Sequence, residues 1–266
     1  MGMLNRLRIL VSRFFTATYP WPALDVILPG GRYLHLVGSI HMGTPDMAPL
    51  SARLLQKLQQ SDALIVEADI SDSGSPFPAG GSELPLHARL SAEEGRRIDR
   101  HLQALALDVA SIDNLPYWQI ALMLQAQQAQ RLGLRPDYGI DFQLLQSAHL
   151  RQKHVIELEG AQSQVDLLKA LPDGGLTLLN DTLEHWHTNA RLLQTMVSWW
   201  LESTPGIQHA TLPNTFSGEL YDVMMTQRNY RWRDFLRTLP PGRYVVAVGA
   251  LHLYGEDSLP ELLKKD

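Results

Sequence analysis

The chain has 266 residues, 45% of them hydrophobic and 19% charged, an ordinary globular composition with enough apolar material for a sizeable core and too much for disorder. Its net charge of -5 at pH 7 offers no basic field, so nucleic acid is not an expected partner. Cysteine is absent, which removes disulfides, thiolate metal sites and cysteine nucleophiles.

Near the start, Leu4, Leu7, Leu10, Val11, Phe14 and Phe15 share one helical face, while Arg8 and Arg13 interrupt the apolar run that a signal peptide requires. The segment reads as a helix docked on the protein's own core, with contact between residues 4–15 and a membrane surface as the alternative. No run reaches the roughly 18 apolar residues of a membrane span, and a cytoplasmic location is expected. Pro20, Pro22, Pro29, Gly30 and Gly31 punctuate the entry to a first strand, Tyr33–Val37. Leu50–Leu58 has helical spacing, and Ala63–Val66 is a second buried strand closed by Glu67. Ser71–Ser82 is a loop rich in Gly, Ser and Pro. From Ser91, which forms a capping box with Glu94, to about Leu150 the pattern is helical. His154–Leu158 is a third strand. Helices over Asp181–Trp200 and Leu220–Leu239 flank a turn-rich stretch around Pro205–Pro213, and Tyr244–Val248 is the last strand. Strands separated by helical crossovers predict an α/β fold with a largely parallel sheet. Residues 1–266 are expected to form one domain, with a helical insertion at about 84–235 interrupted by the strand near 154–158.

Leu28–Met42 repeats as Leu239–Leu253. LPGGRYLHLVGSIHM lies beside LPPGRYVVAVGALHL, with eight of fifteen positions identical. Two halves therefore share a strand followed by a G-x-x-H turn, and the natural picture is two related strands packed about a pseudo-twofold axis. A strand-ending carboxylate accompanies each half, Glu67 and Glu159.

Ligands of open parallel sheets bind beyond the carboxyl ends of the strands. Gly38 and Gly249 follow apolar strands directly, allowing a sharp exit and close approach of a ligand, and His41 and His252 come three residues later. Two imidazoles with one or two carboxylates form a first shell for Mn, Co, Zn or Fe, with a remaining carboxylate as base toward metal-bound water. Read singly, each G-x-x-H and each Glu fits an ordinary packing or salt-bridge role. The duplication with matched flanks favours a site. Arg228, among apolar residues between Met225 and Trp232, either clamps a substrate or oxyanion or forms a buried salt bridge to Asp141 or Glu159, and Asn229 caps or braces the same place. His185 and His187 fall on different helix faces, His35 lies mid-strand, and Ser39 lacks a nucleophile elbow and is replaced by Ala250 in the repeat.

The ordered set Gly38-Ser39-Ile40-His41, Glu67, Tyr138-Gly139-Ile140-Asp141, Leu158-Glu159 with Gln164, Arg228-Asn229, and Gly249-Ala250-Leu251-His252 with Gly255 resembles the TraB/PrgY/GumN/Tiki family of bacterial and related proteins, over nearly the whole chain. The resemblance implies a fold akin to the erythromycin-esterase and ChaN-like α/β proteins. For the Tiki branch it also implies divalent-metal-dependent proteolysis through paired G-x-x-H motifs and glutamate, on extracellular substrates that are not carried over to this chain. It marks His41, His252 and Glu67 first, as metal ligands, then Glu159 and Arg228, as catalytic together with Glu67; Gly38, Gly249, Asp141 and Asn229 are expected to bind substrate. Many relatives of this type carry an export signal, which this sequence lacks in convincing form. The expected function is a metal-dependent hydrolase acting on a peptide or small-molecule substrate. The alternatives are a non-catalytic protein binding peptide, metal or haem, and a metal-free esterase-like hydrolase with one His as general base.

Overall fold

The computed structural model describes residues 19–71, 81–202 and 212–265. The expected helix at 4–15, most of the Ser71–Ser82 loop and most of the Pro205–Pro213 stretch lie outside them.

Among the described residues five strands form one sheet: β1 (Ala23–Leu28), β2 (Arg32–Ser39), β3 (Ala63–Val66), β4 (His154–Glu157) and β5 (Gly242–Gly249), in the spatial order β1-β2-β5-β3-β4. β2, β5, β3 and β4 run parallel, and β1 is antiparallel to β2. Leu34–Ser39 and Tyr244–Val248 are buried without a break, the pattern of strands covered on both faces. β4, at the opposite edge, is only partly covered. β1 adds to the expected strands. The turn residues that mask it in the sequence bound it in the structure. Gly30 and Gly31 take φ of 79° and 77° in the turn to β2, a conformation that glycine adopts without steric cost. As an edge strand, β1 tolerates the prolines beside it.

β2 and β5 pair one residue out of step with the sequence repeat: Gly38 lies beside Val248, and Ser39 beside Gly249. Partners in a parallel pair share a face and neighbours along a strand alternate, so equivalent residues of the repeat face opposite sides of the sheet. A pseudo-twofold axis running along the strands produces that relation.

The helices begin with α1 (Ala52–Gln60), capped by Ser51, whose Oγ accepts from Leu54 N at 3.2 Å. The expected helical run from Ser91 divides into α2 (Ala92–Leu105), α3 (Tyr117–Arg131) and α4 (Ile140–Leu150). The Ser91–Glu94 capping box opens α2, with Ser91 N donating to Glu94 Oε2 at 2.9 Å. Ala106 in the left-handed region, Pro116, Gly133 and Pro136 account for the divisions. α5 (Ala161–Lys169) follows β4. The Asp181–Trp200 span is likewise two helices, α6 (Leu176–Glu184) and α7 (Trp186–Leu201), separated at His185, which leaves helical geometry with ψ 20°. A single turn at Gly218–Tyr221 and a π turn at Asp222–Thr226 lead into α8 (Gln227–Thr238), and α9 (Leu259–Lys264) comes last.

α1 and α4 pack on each other and on the sheet, while α9 packs on α8 and β1. Two apolar clusters result. One surrounds the sheet and takes in Leu192, Met196 and Trp199 of α7. The other is helical and is built on Ile98, Leu102, Ile112, Trp118, Leu124 and Leu179. No helix among the described residues is long and apolar enough to cross a membrane.

Candidate active site

Four parallel strands deliver the site from their carboxyl ends. His41 lies just past β2, Glu67 follows β3, and Glu159 is two residues beyond β4. Gly249 closes β5, with His252 in the turn Ala250–Leu253 after it. His41, Glu67, Arg228, Gly249 and His252 line one cavity of about 570 Å³, which α3 and α7 also wall. The structure thus brings these five residues to one cleft. Asp141, Glu159 and Asn229 stand directly behind them.

Gly38 stands apart. A Cβ there would meet Ala250 Cα at 3.1 Å and Leu253 at 3.2 Å, its carbonyl accepts from Trp200 Nε1 at 3.1 Å, and it does not line the cavity. Close packing of β2 on the turn after β5, rather than approach of a ligand, explains this glycine.

His41 bonds through Nδ1 to Asp141 Oδ2. The other oxygen of Asp141, Oδ1, is buried and has no hydrogen-bond partner among the described residues. Asp141 reaches His41 because its own N–H donates to Ser39 Oγ at 3.2 Å and Ile140 N donates to the Ile40 carbonyl at 2.9 Å, so the start of α4 is stitched to the end of β2. The Asp141 carboxylate raises the imidazole to about 9, against the opposing effect of desolvation, with Glu67 adding to the rise and Arg228 subtracting from it. The His41 side chain nevertheless keeps 69% of its surface accessible, so water screens part of that field. Gly139 makes the stitch possible. A Cβ on it would lie 2.4 Å from the His41 carbonyl oxygen. Gly139→Ala is expected to cost about 1–3 kcal/mol and to loosen the pair, so that the His41 pKa, followed by NMR, falls back toward its ordinary value. An unchanged His41 titration would contradict this coupling.

His252 is the opposite case. It is buried, its Nδ1 lies 2.7 Å from Asn229 Oδ1, and its Nε2 lies 3.4 Å from Arg228 Nη1. The fitting tautomer donates from Nδ1–H to Asn229 and accepts at Nε2. Burial pushes the ring down to about 3. Glu67 opposes this, and the positive charges of Arg228 and His41 reinforce it. Asn229 is itself braced by Nδ2 donating to the Asp257 carbonyl at 3.0 Å.

Arg228 is the centre of the cluster. Nη2 donates to Glu67 Oε2 at 2.5 Å and to Glu159 Oε2 at 2.9 Å, and Nε donates to Glu159 Oε1 at 3.0 Å. Nη1 donates to the Met224 carbonyl at 3.2 Å, in the π turn that precedes α8. Burial opposes the charge on Arg228, but Glu67 and Glu159 outweigh it and raise its pKa. Of the two salt-bridge partners expected for Arg228, Glu159 is present. Glu67 takes the place of Asp141, which is occupied by His41. Trp232, one turn along α8, backs both Arg228 (4.6 Å from guanidinium carbon to ring centre) and His252 (4.4 Å between ring centres). Its i+4 spacing from Arg228 is the sequence signal for that role.

Glu67 is fully engaged. Oε1 accepts from Gly249 N at 2.6 Å, and Oε2 accepts from Arg228 and from Gln164 Nε2 at 3.2 Å. Burial alone would raise it. Arg228, His252, His41 and the Gly249 N–H overcome that effect and hold it at about 2. A divalent ion needs free lone pairs on its ligands. Both Glu67 oxygens and both His252 nitrogens have protein partners, and a guanidinium stands between them. As arranged, these side chains do not fit an ion, and among the described residues no three His, Asp or Glu side chains form a cation-holding group.

These ionisations set how stability varies with pH. Unfolded, His252 takes a proton near its ordinary 6.5; folded, only near 3. Between those values the unfolded chain binds more protons, so stability falls as pH drops from about 6.5, by up to about 1.4 kcal/mol per unit. Glu67, ordinarily 4.5 and here about 2, adds a loss in the same direction below about 4.5. His41 works oppositely: its contribution is full below 6.5 and is lost as pH rises through about 9. Urea unfolding across pH is expected to give a maximum near 6.5. Stability that stays flat from neutral pH down to about 4 would contradict the burial of a neutral His252.

The fold and site define an α/β protein with an acid–base and ion-pair cluster at the carboxyl edge of a parallel sheet, under a helical roof. The chain belongs to the TraB/PrgY/gumN family, whose sequence model matches residues 24–266. It is 56% identical over 264 residues to a protein of Escherichia coli (strain K12) described as "Uncharacterized protein YbaP", covering 99% of this chain and 100% of that protein. A Shigella flexneri protein of the same description shares 56% identity over the same extent. No solved structure matches the chain.

Proposed function

We propose that the chain is a hydrolase of carbonyl compounds in which His41, oriented by Asp141, is the general base. One observation carries this reading: an imidazole open to a largely apolar cleft, tied through Nδ1 to a buried carboxylate, with Nε2 free of protein partners among the described hydrogen bonds. Water would give a proton to Nε2 as its oxygen bonds to the carbonyl carbon, and the imidazolium would return that proton to the leaving group. Arg228 lies on the wall of the same cavity, but its N–H groups are spent on Glu67, Glu159, the Met224 carbonyl and His252, so it acts by holding the site together rather than by donating to the carbonyl oxygen. Glu67 and Glu159 act here by fixing Arg228. A carboxylate held at about 2 is a weak base at neutral pH.

A second reading, a hydrolase or peptidase using Mn, Co, Zn or Fe, is favoured by the presence of His41, Glu67 and His252 on one cavity. It requires Arg228 to withdraw from both Glu67 and His252. The test is hydrolysis of an ester and peptide panel against pH, with and without a chelator. The leading reading expects chelator-insensitive turnover that climbs with pH to a plateau above about 9. Activity abolished by chelator and restored by one of these metals would replace it with the second reading. Saturable binding without turnover would assign the cleft to a non-catalytic binding protein.

A further inference from the structure

We infer that the cleft accepts a single hydrocarbon chain, so that the substrate is an ester or amide of a medium-length aliphatic acid, with its carbonyl at His41 and its chain under α3 and α7. The chemistry rests on the reading of His41 given above; the chain preference rests on the cavity alone. Leu122, Ala126 and Ala129 of α3 face Leu192, Leu193 and Met196 of α7 across it. The volume of about 570 Å³ falls within the range of small-molecule pockets. At roughly 30 Å³ per heavy atom it has room for about twenty of them, which is an acyl chain on the order of ten carbons together with the carboxyl and leaving groups at the His41 end.

The same walls argue against an extended peptide. A buried peptide needs a hydrogen-bond partner for each amide, or each unpaired group carries a desolvation cost. The roof is helical, so its backbone groups are spent within the helices. The sheet edges, β1 and β4, lie at the two ends of the strand order, whereas the cavity sits over the ends of β2, β5 and β3. Two polar side chains on the wall are already committed: Gln125 Nε2 donates to Thr182 Oγ1 at 2.8 Å, and Gln128 Nε2 donates to the Trp186 carbonyl at 2.8 Å. A hydrocarbon chain makes no such demand. Only the carbonyl end needs charged partners, and the charged side chains of the cavity gather where His41, Glu67 and Arg228 meet; Ser39, Thr182, Asn189 and Thr215 add neutral polar groups to an otherwise apolar wall. In the reaction one water is consumed. The acyl C–O or C–N bond breaks, a new C–O bond forms from water oxygen, and the leaving alcohol or amine departs with the proton passed through His41.

The test is a series of p-nitrophenyl esters from acetate to hexadecanoate. Each added methylene is expected to raise kcat/KM by up to about three- to fourfold, to an optimum near ten carbons, beyond which longer chains lose. Ala126→Phe, which fills part of the cavity, is expected to move the optimum to shorter chains. Decanoate, the product acid, is expected to raise the Tm of the wild type and to do so less for Ala126→Phe. If that variant does not fold, the wild-type series and the decanoate shift decide alone. Ester hydrolysis that is flat with chain length, without a decanoate shift, overturns the acyl preference and leaves the His41 reading standing. No hydrolysis of any ester, with a decanoate shift that Ala126→Phe diminishes, overturns the His41 reading and keeps the acyl cavity. Peptides cleaved in strong preference to every acyl ester overturn the inference.

Discussion

Arg228→Met is expected to cost about 3–5 kcal/mol of stability at neutral pH, the scale on which removing one partner leaves buried charge uncompensated. At this chain length that lowers Tm by roughly 10 °C. Methionine roughly matches the arginine stem in length and keeps the apolar contact with Trp232, so the loss isolates the guanidinium. Glu67 would retain Gly249 N and Gln164, and Glu159 would retain the more distant Arg231 at 3.5 Å. Neither set replaces the close contacts that Arg228 makes with both carboxylates. In the variant Glu67 loses the guanidinium that favours its ionised form, so the gap between the two proteins should narrow as pH falls below about 5. Urea unfolding of both proteins at neutral and acid pH checks this. A deficit under about 1 kcal/mol, or one that widens in acid, would show that Arg228 is not the keystone of the cluster. Glu67→Gln is smaller in effect for the same reason: Arg228 keeps Glu159.

His41→Asn is expected to reduce hydrolysis by about 10²- to 10⁴-fold, the range for loss of a positioned acid–base group, while changing stability by only about 1 kcal/mol. The side chain is largely accessible, and the Asn amide retains an N–H near the position of Nδ1, so Asp141 keeps a donor. The pH dependence near 9 should disappear along with the rate. Wild-type turnover in this variant, on the best ester of the acyl series, would falsify the role of His41. An equal loss in His252→Gln accompanied by full retention in His41→Asn would move the chemistry to the other histidine.

The duplicated strand and turn were readable in the sequence because both depend on local pattern: continuous apolar runs, then glycine, then histidine. The strand-end carboxylates were readable for the same reason, and parallel topology carries strand ends to one edge. What local pattern does not carry is which of two equivalent residues becomes which. His41 and His252 hold matching positions in the repeat, yet one is open beside Asp141 and the other is enclosed between Asn229, Arg228 and Trp232. That difference depends on α4 and α8, which belong to neither copy. The Arg228–Glu67 pair spans 161 residues and depends on how α8 docks, so sequence spacing offers no measure of it. The break at His185 has no Gly or Pro to announce it, whereas β1 is hidden by an excess of them.

The strand order has a consequence for how the protein comes to life on the ribosome. β5 is made after the other four strands, yet it lies between β2 and β3. Before it emerges, β1 can pair with β2 and β3 with β4, but nothing joins the two pairs. His41 then rides on one fragment and Glu67 and Glu159 on the other, while Arg228 and His252, on either side of β5 in the chain, arrive with it. The nascent chain therefore carries exposed sheet edges and unmatched carboxylates until β5 has emerged, and assembly of the cleft coincides with closure of the sheet. A fusion or truncation that delays β5 would prolong that interval and invite edge-to-edge association, whatever it leaves untouched in the site itself.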